Sequence, residues 1–206
     1  MTGGLSRPED RFLRRAAEGI SILTVAPVVA IPVFLVIVFL MVQGPGRLLL
    51  SSVSILFAGI IPLSLILFWS RIVHDVPSDI PDRRDRHGPF VTVILSYAVG
   101  TAALALLHAP WLVTGLMLCY CTNTLAVFLV NLVWKISIHA MGIAGPATAL
   151  AFAAGPAGLI PAFVLLPPVM LSRVYLGRHT TAQVVAGAAL GFLLTGIQLA
   201  ILSGFR

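Results

Sequence analysis

Residues 172–203 read SRVYLGRHTTAQVVAGAALGFLLTGIQLAILS. The first eight positions carry two arginines and a histidine. From 181 onward the run holds no Asp, Glu, Lys or Arg until Arg206. An α-helix needs about 20 apolar residues to cross roughly 30 Å of hydrocarbon, and 181–203 is long enough. The same pattern recurs upstream, with apolar segments at 19–42, 47–69, 89–107, 110–134, 140–154 and 157–171. Of 206 residues, 59% are hydrophobic and only 10% charged, too few charges to cover a soluble surface of this size. The segments are continuously apolar rather than alternating, which argues against a transmembrane barrel. The expected fold is all-α, a polytopic membrane helix bundle of six or seven transmembrane helices. The count is open by one because 140–154 and 157–171 are short and rich in Gly and Pro.

Gly and Pro also mark the breaks, at 43–46, 108–110 and 155–158. Residues 1–206 read as a single membrane-embedded domain with a polar N-terminal segment, 1–17, and one sizeable polar connection, 70–88. The first apolar run is too long for the hydrophobic stretch of a signal peptide and reads as a retained span. Cys119 and Cys121 sit two apart in one apolar run, so they point to different sides of a helix and are expected to be packing residues rather than a disulfide or a metal pair.

The net charge is +6. With the N-terminus in the cytoplasm, seven spans put Arg7, Arg11, Arg14, Arg15, Arg71, Arg83, Arg84, Arg86, Lys135, Arg173 and Arg178 on the inner side, leaving only Arg47 and Arg206 outside. This bias follows the positive-inside rule, so the charge reports orientation and not a nucleic-acid partner. The expected location is a bacterial or archaeal cytoplasmic membrane, with N-terminus and functional face toward the cytoplasm.

Three polar clusters fall on that face: 71–88, 135–139 and 172–183. Each leads directly into an apolar segment, near a helix N-terminus, where free N–H groups and the helix dipole attract anions. Together they are expected to form a basic pocket for the phosphate of a membrane lipid. Its candidate residues are Lys135, Ser137, His139, Ser172, Arg173 and His179. Ionisable groups beside spans are costly and usually have a use. On the fourth segment Tyr120, Thr124, Asn131 and Lys135 lie near one helical face; they either line the route to the pocket or hydrogen-bond between helices.

Ser172-Arg173-x5-His179 resembles the third signature of the type 2 phosphatidic acid phosphatase (PAP2) superfamily, and Ser137-Ile-His139 resembles the serine-x-histidine core of its second. The likeness is strongest over 131–190. It implies a lipid phosphatase that needs no cofactor and acts on an isoprenoid or glycerolipid phosphate or diphosphate through a phosphohistidine. By that resemblance His179 is the nucleophile and His139 the general acid, while Arg173 and Ser137 bind phosphoryl oxygens. The chain departs from the pattern in three places. Gln183 stands where the family has the aspartate that supports the nucleophile. Lys135 precedes the second signature, which lacks its proline and glycine; Lys135 is a candidate for the charge that the first signature supplies. That first signature is absent as such, and its nearest candidate is the loop with Asp79, Arg83 and Arg86.

The same loop supports a rival reading. Asp75, Asp79 and Asp82 are spaced so that carboxylates on a helical turn hold Mg²⁺ against a diphosphate. This faintly resembles the aspartate-rich loop of UbiA-type prenyltransferases and implies a Mg-dependent isoprenoid-diphosphate transferase or lyase. Asn123 and Asn131 are weak stand-ins for a second aspartate motif. A third reading is a non-catalytic homologue that binds lipid phosphate.

Overall fold

The computed structural model describes residues 8–74 and 87–204, all of it helix and connecting turns. The elements are α1 (Pro8–Leu23), α2 (Ala26–Met41), α3 (Gly46–Ile55), α4 (Ile61–His74), α5 (His87–Leu106), α6 (Trp111–Val133), α7 (Ile138–Ala154), α8 (Ile160–Tyr175) and α9 (Thr181–Ser203). Among the described residues, five helical stretches are long and apolar enough to cross a membrane, and six are if the bent pair α1–α2 counts as one span; one of the five, Ile138–Tyr175, comprises both α7 and α8. The protein is an all-α membrane bundle.

The first apolar segment is not a single rod. The sequence suggested a span from 19 to 42 after a polar 1–17, whereas helix runs from Pro8 to Leu23 and then bends by 53° into α2. Pro27, in the first turn of α2, supplies the reason: it has no N–H for a helix arriving from upstream but fits the start of a new one. α1 buries Ala17 and Ser21 and packs on α8, while Arg11, Arg14, Arg15, Phe12 and Leu13 are exposed.

α3 and α4 form a nearly continuous span joined by a π-helical turn, Leu56–Ile60. Pro62 follows that turn and cannot donate to the carbonyl five residues back, that of Phe57. Ser96 of α5 takes up that carbonyl, its Oγ donating to Phe57 O at 2.9 Å. The residue order thus explains both the bulge and the serine that repairs it.

α7 is the axis of the bundle and touches α2, α6, α8 and α9. Every residue from Ala140 to Leu150 is buried, and most are Gly or Ala. Small residues let membrane helices approach closely, where dispersion contacts replace the missing hydrophobic drive. Between α7 and α8 the chain turns back through a 3₁₀ turn, Gly155–Leu159, and Gly158 lies against the Leu150–Ala151 backbone. The apolar stretch Ile138–Tyr175 is therefore an antiparallel hairpin, which returns the end of α8 to the start of α7. A polar clamp joins α6 to α9: Asn123 Nδ2 donates to Thr195 Oγ1 at 2.8 Å, Gln198 Nε2 to Asn123 Oδ1 at 2.9 Å, and Thr122 Oγ1 to Gln198 Oε1. Cys119 is buried in the main core and Cys121 is half-buried; both are free thiols.

Where α7 and α9 begin, Gly187 of α9 lies tightly against Ser137. A Cβ at 187 would sit 2.4 Å from the Ser137 carbonyl oxygen. Gly187→Ala is expected to push the start of α7 off α9 and to cost about 1–3 kcal/mol, the usual penalty for overpacking. A lowered unfolding midpoint in detergent is the check; an unchanged midpoint would show that the contact is soft.

Candidate functional site

Two local devices fix the residues that the sequence singled out. The first ends α8. Gly177, at φ +65°, lets the chain reverse, with Arg178 N–H donating to Arg173 O at 3.0 Å and Gly177 N–H to Val174 O at 2.9 Å. That pair of bonds is a Schellman motif, and a side chain at Gly177 would strain it. His179 N–H also donates to Arg173 O, at 3.2 Å. The spacing of Arg173 and His179 is thus the spacing of one helix C-terminus and the turn that closes it.

The second device starts α9. Thr180 and Gln183 form a capping box: Thr180 Oγ1 accepts from Gln183 N at 3.4 Å, and Gln183 Oε1 accepts from Thr180 N at 3.1 Å. The same Gln183 Oε1 lies 3.3 Å from His179 Nδ1. An amide oxygen only accepts, so the contact places a proton on Nδ1, and in the neutral ring the lone pair then belongs to Nε2. Gln183 therefore caps the helix and orients the imidazole at once. Its backbone carbonyl also accepts from Ser137 N–H at 3.2 Å, which ties the start of α7 to the start of α9.

The hairpin and this tie bring His139, Arg173 and His179 to the wall of one cavity of about 140 Å³, which Ser70, Tyr97 and Thr124 also line. The starts of α5, α7 and α9 all reach it, through Phe90, Ile138 and the His179 turn. Arg173 is 3% exposed and His179 7%. A buried guanidinium is tolerated only with polar company. Arg173 Nη1 donates to Ser21 Oγ of α1 at 2.7 Å, and His139 Nε2 donates to the Ser21 carbonyl at 3.1 Å. A smaller void of about 40 Å³ shares Ala26, Phe90, Thr124 and Ile138 with the cavity and continues it between α6 and α7 along Met141, Gly142 and Gly145.

The other candidates sit elsewhere. Ser137 is fully buried as the N-cap of α7, its Oγ accepting from Ala140 N at 3.4 Å. Ser172 Oγ donates back to Val169 O of its own helix at 2.8 Å. Neither serine is on the cavity wall; serines at helix ends readily bond local backbone instead. Lys135 is half-buried in the link between α6 and α7 and does not line the cavity. Nor does Asn131, which is 1% exposed with both side-chain amide atoms lacking a hydrogen-bond partner. Of the polar stripe on α6, Thr124 alone reaches the main cavity, and Tyr120 packs between Phe34 and Tyr97. Asn123 is occupied by the α6–α9 clamp. Asp75, Asp79, Asp82, Arg83 and Arg86 lie outside the described residues.

Ser21 and Thr180 carry site geometry that the sequence reading missed. Thr180-x-x-Gln183 is a legible capping signature. Ser21 has no local signal, because its partners are 118 and 152 residues away. No family model, curated protein or solved structure matches the chain.

Proposed function

We propose that this protein is a membrane lipid phosphate phosphatase of PAP2-like mechanism, acting on an isoprenoid or glycerolipid phosphate or diphosphate. The observation that carries the reading is the convergence of His139, Arg173 and His179 on one cavity, with His179 held as the Nδ1–H tautomer by Gln183.

The chemistry follows from these roles. Arg173 neutralises charge on the phosphoryl oxygens, the main demand of phosphoryl transfer. His179 Nε2 attacks phosphorus, an N–P bond forms and the P–O bond to the lipid breaks. The leaving alkoxide takes a proton from His139. His139, now neutral, takes a proton from water as the water attacks the phosphohistidine, and inorganic phosphate leaves. The apolar void between α6 and α7 suits the first carbons of the lipid chain.

The test is phosphate release from a panel of prenyl and glycerolipid phosphates in excess EDTA. Release is expected to persist without divalent metal. Activity that requires Mg²⁺ and dies with Asp75, Asp79 or Asp82 replaced would instead favour the transferase or lyase. Binding without turnover would favour a non-catalytic homologue.

The cavity and the N-terminus are proposed to face the cytoplasm, on the charge bias of the loops. A reporter fused after Arg206 is expected outside and one inserted within 75–85 inside. The reverse pattern would overturn the orientation.

A further inference from the structure

Ser21 sits where the proposed reaction needs an anion. Its hydroxyl accepts from Arg173 Nη1 at 2.7 Å and its carbonyl accepts from His139 Nε2 at 3.1 Å. Two oxygens of one residue therefore occupy a donor on each of two of the three groups assigned to the reaction. The carbonyl is available because α1 ends at Leu23 and the chain bends there, and the last carbonyls of a helix lack helical donors. Those carbonyls also form the negative end of the helix dipole, which complements a cationic site as an anion would. Ser21 is 8% exposed, and the next residues of the bend, Val25, Ala26 and Pro27, line the cavity itself.

We infer that the last turn of α1 is a latch: Ser21 holds Arg173 and His139 in place of a phosphate group, and a lipid phosphate binds by displacing it. The inference rests on the reading that Arg173 binds the phosphoryl oxygens and His139 faces the leaving oxygen of the same phosphate ester. It gives the Ser21 contacts of Arg173 Nη1 and His139 Nε2 a common role. Helix α1 is suited to move. Its outward side is exposed, it is joined to α2 through a bend, and among its described side chains Ala17 and Ser21 are the buried ones. In energetic terms the apparent affinity for phosphate is the intrinsic affinity reduced by the fraction of molecules with the latch open.

The experiment measures binding of dioctanoyl phosphatidate to the full chain in detergent by calorimetry, for the wild type, Ser21→Ala and Ser21→Asp. Ser21→Ala removes one of the two competing hydrogen bonds and favours helix, so it is expected to bind about 3- to 10-fold more tightly. Ser21→Asp sets a carboxylate against Arg173 and is expected to bind at least about 10-fold more weakly. Amide exchange across 20–26 is expected to quicken on binding in the wild type, as α1 leaves the site. An affinity for Ser21→Ala equal to or weaker than that of the wild type would overturn the latch, the weaker case making Ser21 a ligand of the phosphate. Unchanged or slowed exchange across 20–26 on binding would overturn it too. Failure of all three proteins to bind, with unfolding midpoints preserved, would overturn both the latch and the phosphate site. The expected order of affinities without any phosphate release would support the latch and strike the catalytic reading alone.

Discussion

Replacing His179 with alanine is expected to slow phosphoryl transfer to the enzyme by about a thousandfold or more on every substrate, whereas His139→Ala will slow that step only where the leaving group is poor. The two imidazoles share a cavity, but the assigned roles differ in what the substrate can replace. A nucleophile forms the N–P bond, and neither Arg173 nor a better leaving group substitutes for it. A general acid contributes about 10²- to 10⁴-fold by protonating the departing oxygen, and a phenolate that leaves unprotonated needs no such help. His139→Ala should therefore lose that factor on a lipid alkyl phosphate and retain much of its transfer rate to the enzyme on p-nitrophenyl phosphate. It should also accumulate phosphohistidine, because the residue that would deprotonate the attacking water is gone. Acid-labile, base-stable phosphate retained on His139→Ala and missing from His179→Ala is the sign to look for. Equal losses on both substrates for both variants would mean that the histidines act as structural partners of one network.

The bundle was legible because hydrocarbon imposes one requirement on every span, and apolar runs meet it openly. Gly and Pro marked most turns, including the 155–158 turn that closes the α7–α8 hairpin and so brings Arg173 back to His139. The break at Thr24 was not legible, since Val25, Ala26 and Pro27 continue an apolar run and hydropathy does not record direction. Local side-chain chemistry was harder still. Ser137 and Ser172 have the composition of phosphate ligands, yet their hydroxyls bond backbone atoms within three residues. Whether a serine near a helix end caps or reaches outward depends on where its Cα–Cβ bond points, which a one-dimensional pattern does not carry. Ser21 marks the opposite case, a residue with no motif that matters because folding sets it against Arg173. Gln183 stands where the resembled signature has an aspartate, on the face of the helix that lets its amide oxygen accept from His179, and the capping box adds a second use for that oxygen, which also accepts from Thr180 N–H.

That double duty shapes the second large effect. Gln183→Glu is expected to raise the rate of phosphohistidine formation by about 10- to 100-fold if nucleophilic attack limits turnover. Glutamate has the length of glutamine, so it keeps the reach to Thr180 N–H that the capping box needs, and a carboxylate in the first turn is favoured by the helix dipole. The His179 ring gains positive charge as its Nε2 bonds phosphorus. A carboxylate 3.3 Å from Nδ1, in the position that Gln183 Oε1 holds, stabilises that charge where a neutral amide only orients the ring. In the serine protease triad, neutralising the equivalent carboxylate costs about 10⁴-fold. A smaller gain is expected here because the cavity has been built around the amide. Gln183→Asp is the informative contrast: it restores the residue type of the resembled signature but is one methylene shorter, so its gain in charge competes with a weakened cap worth about 1 kcal/mol. Gln183→Ala loses cap and tautomer control together and should fall below the wild type. The order Glu above Asp above Gln above Ala in single-turnover rate, with unfolding midpoints measured alongside, is the expected result. A glutamate variant no faster than the wild type, with its fold intact, would mean that charge on the His179 ring does not limit the reaction, and with it the phosphohistidine step would lose its main physical support.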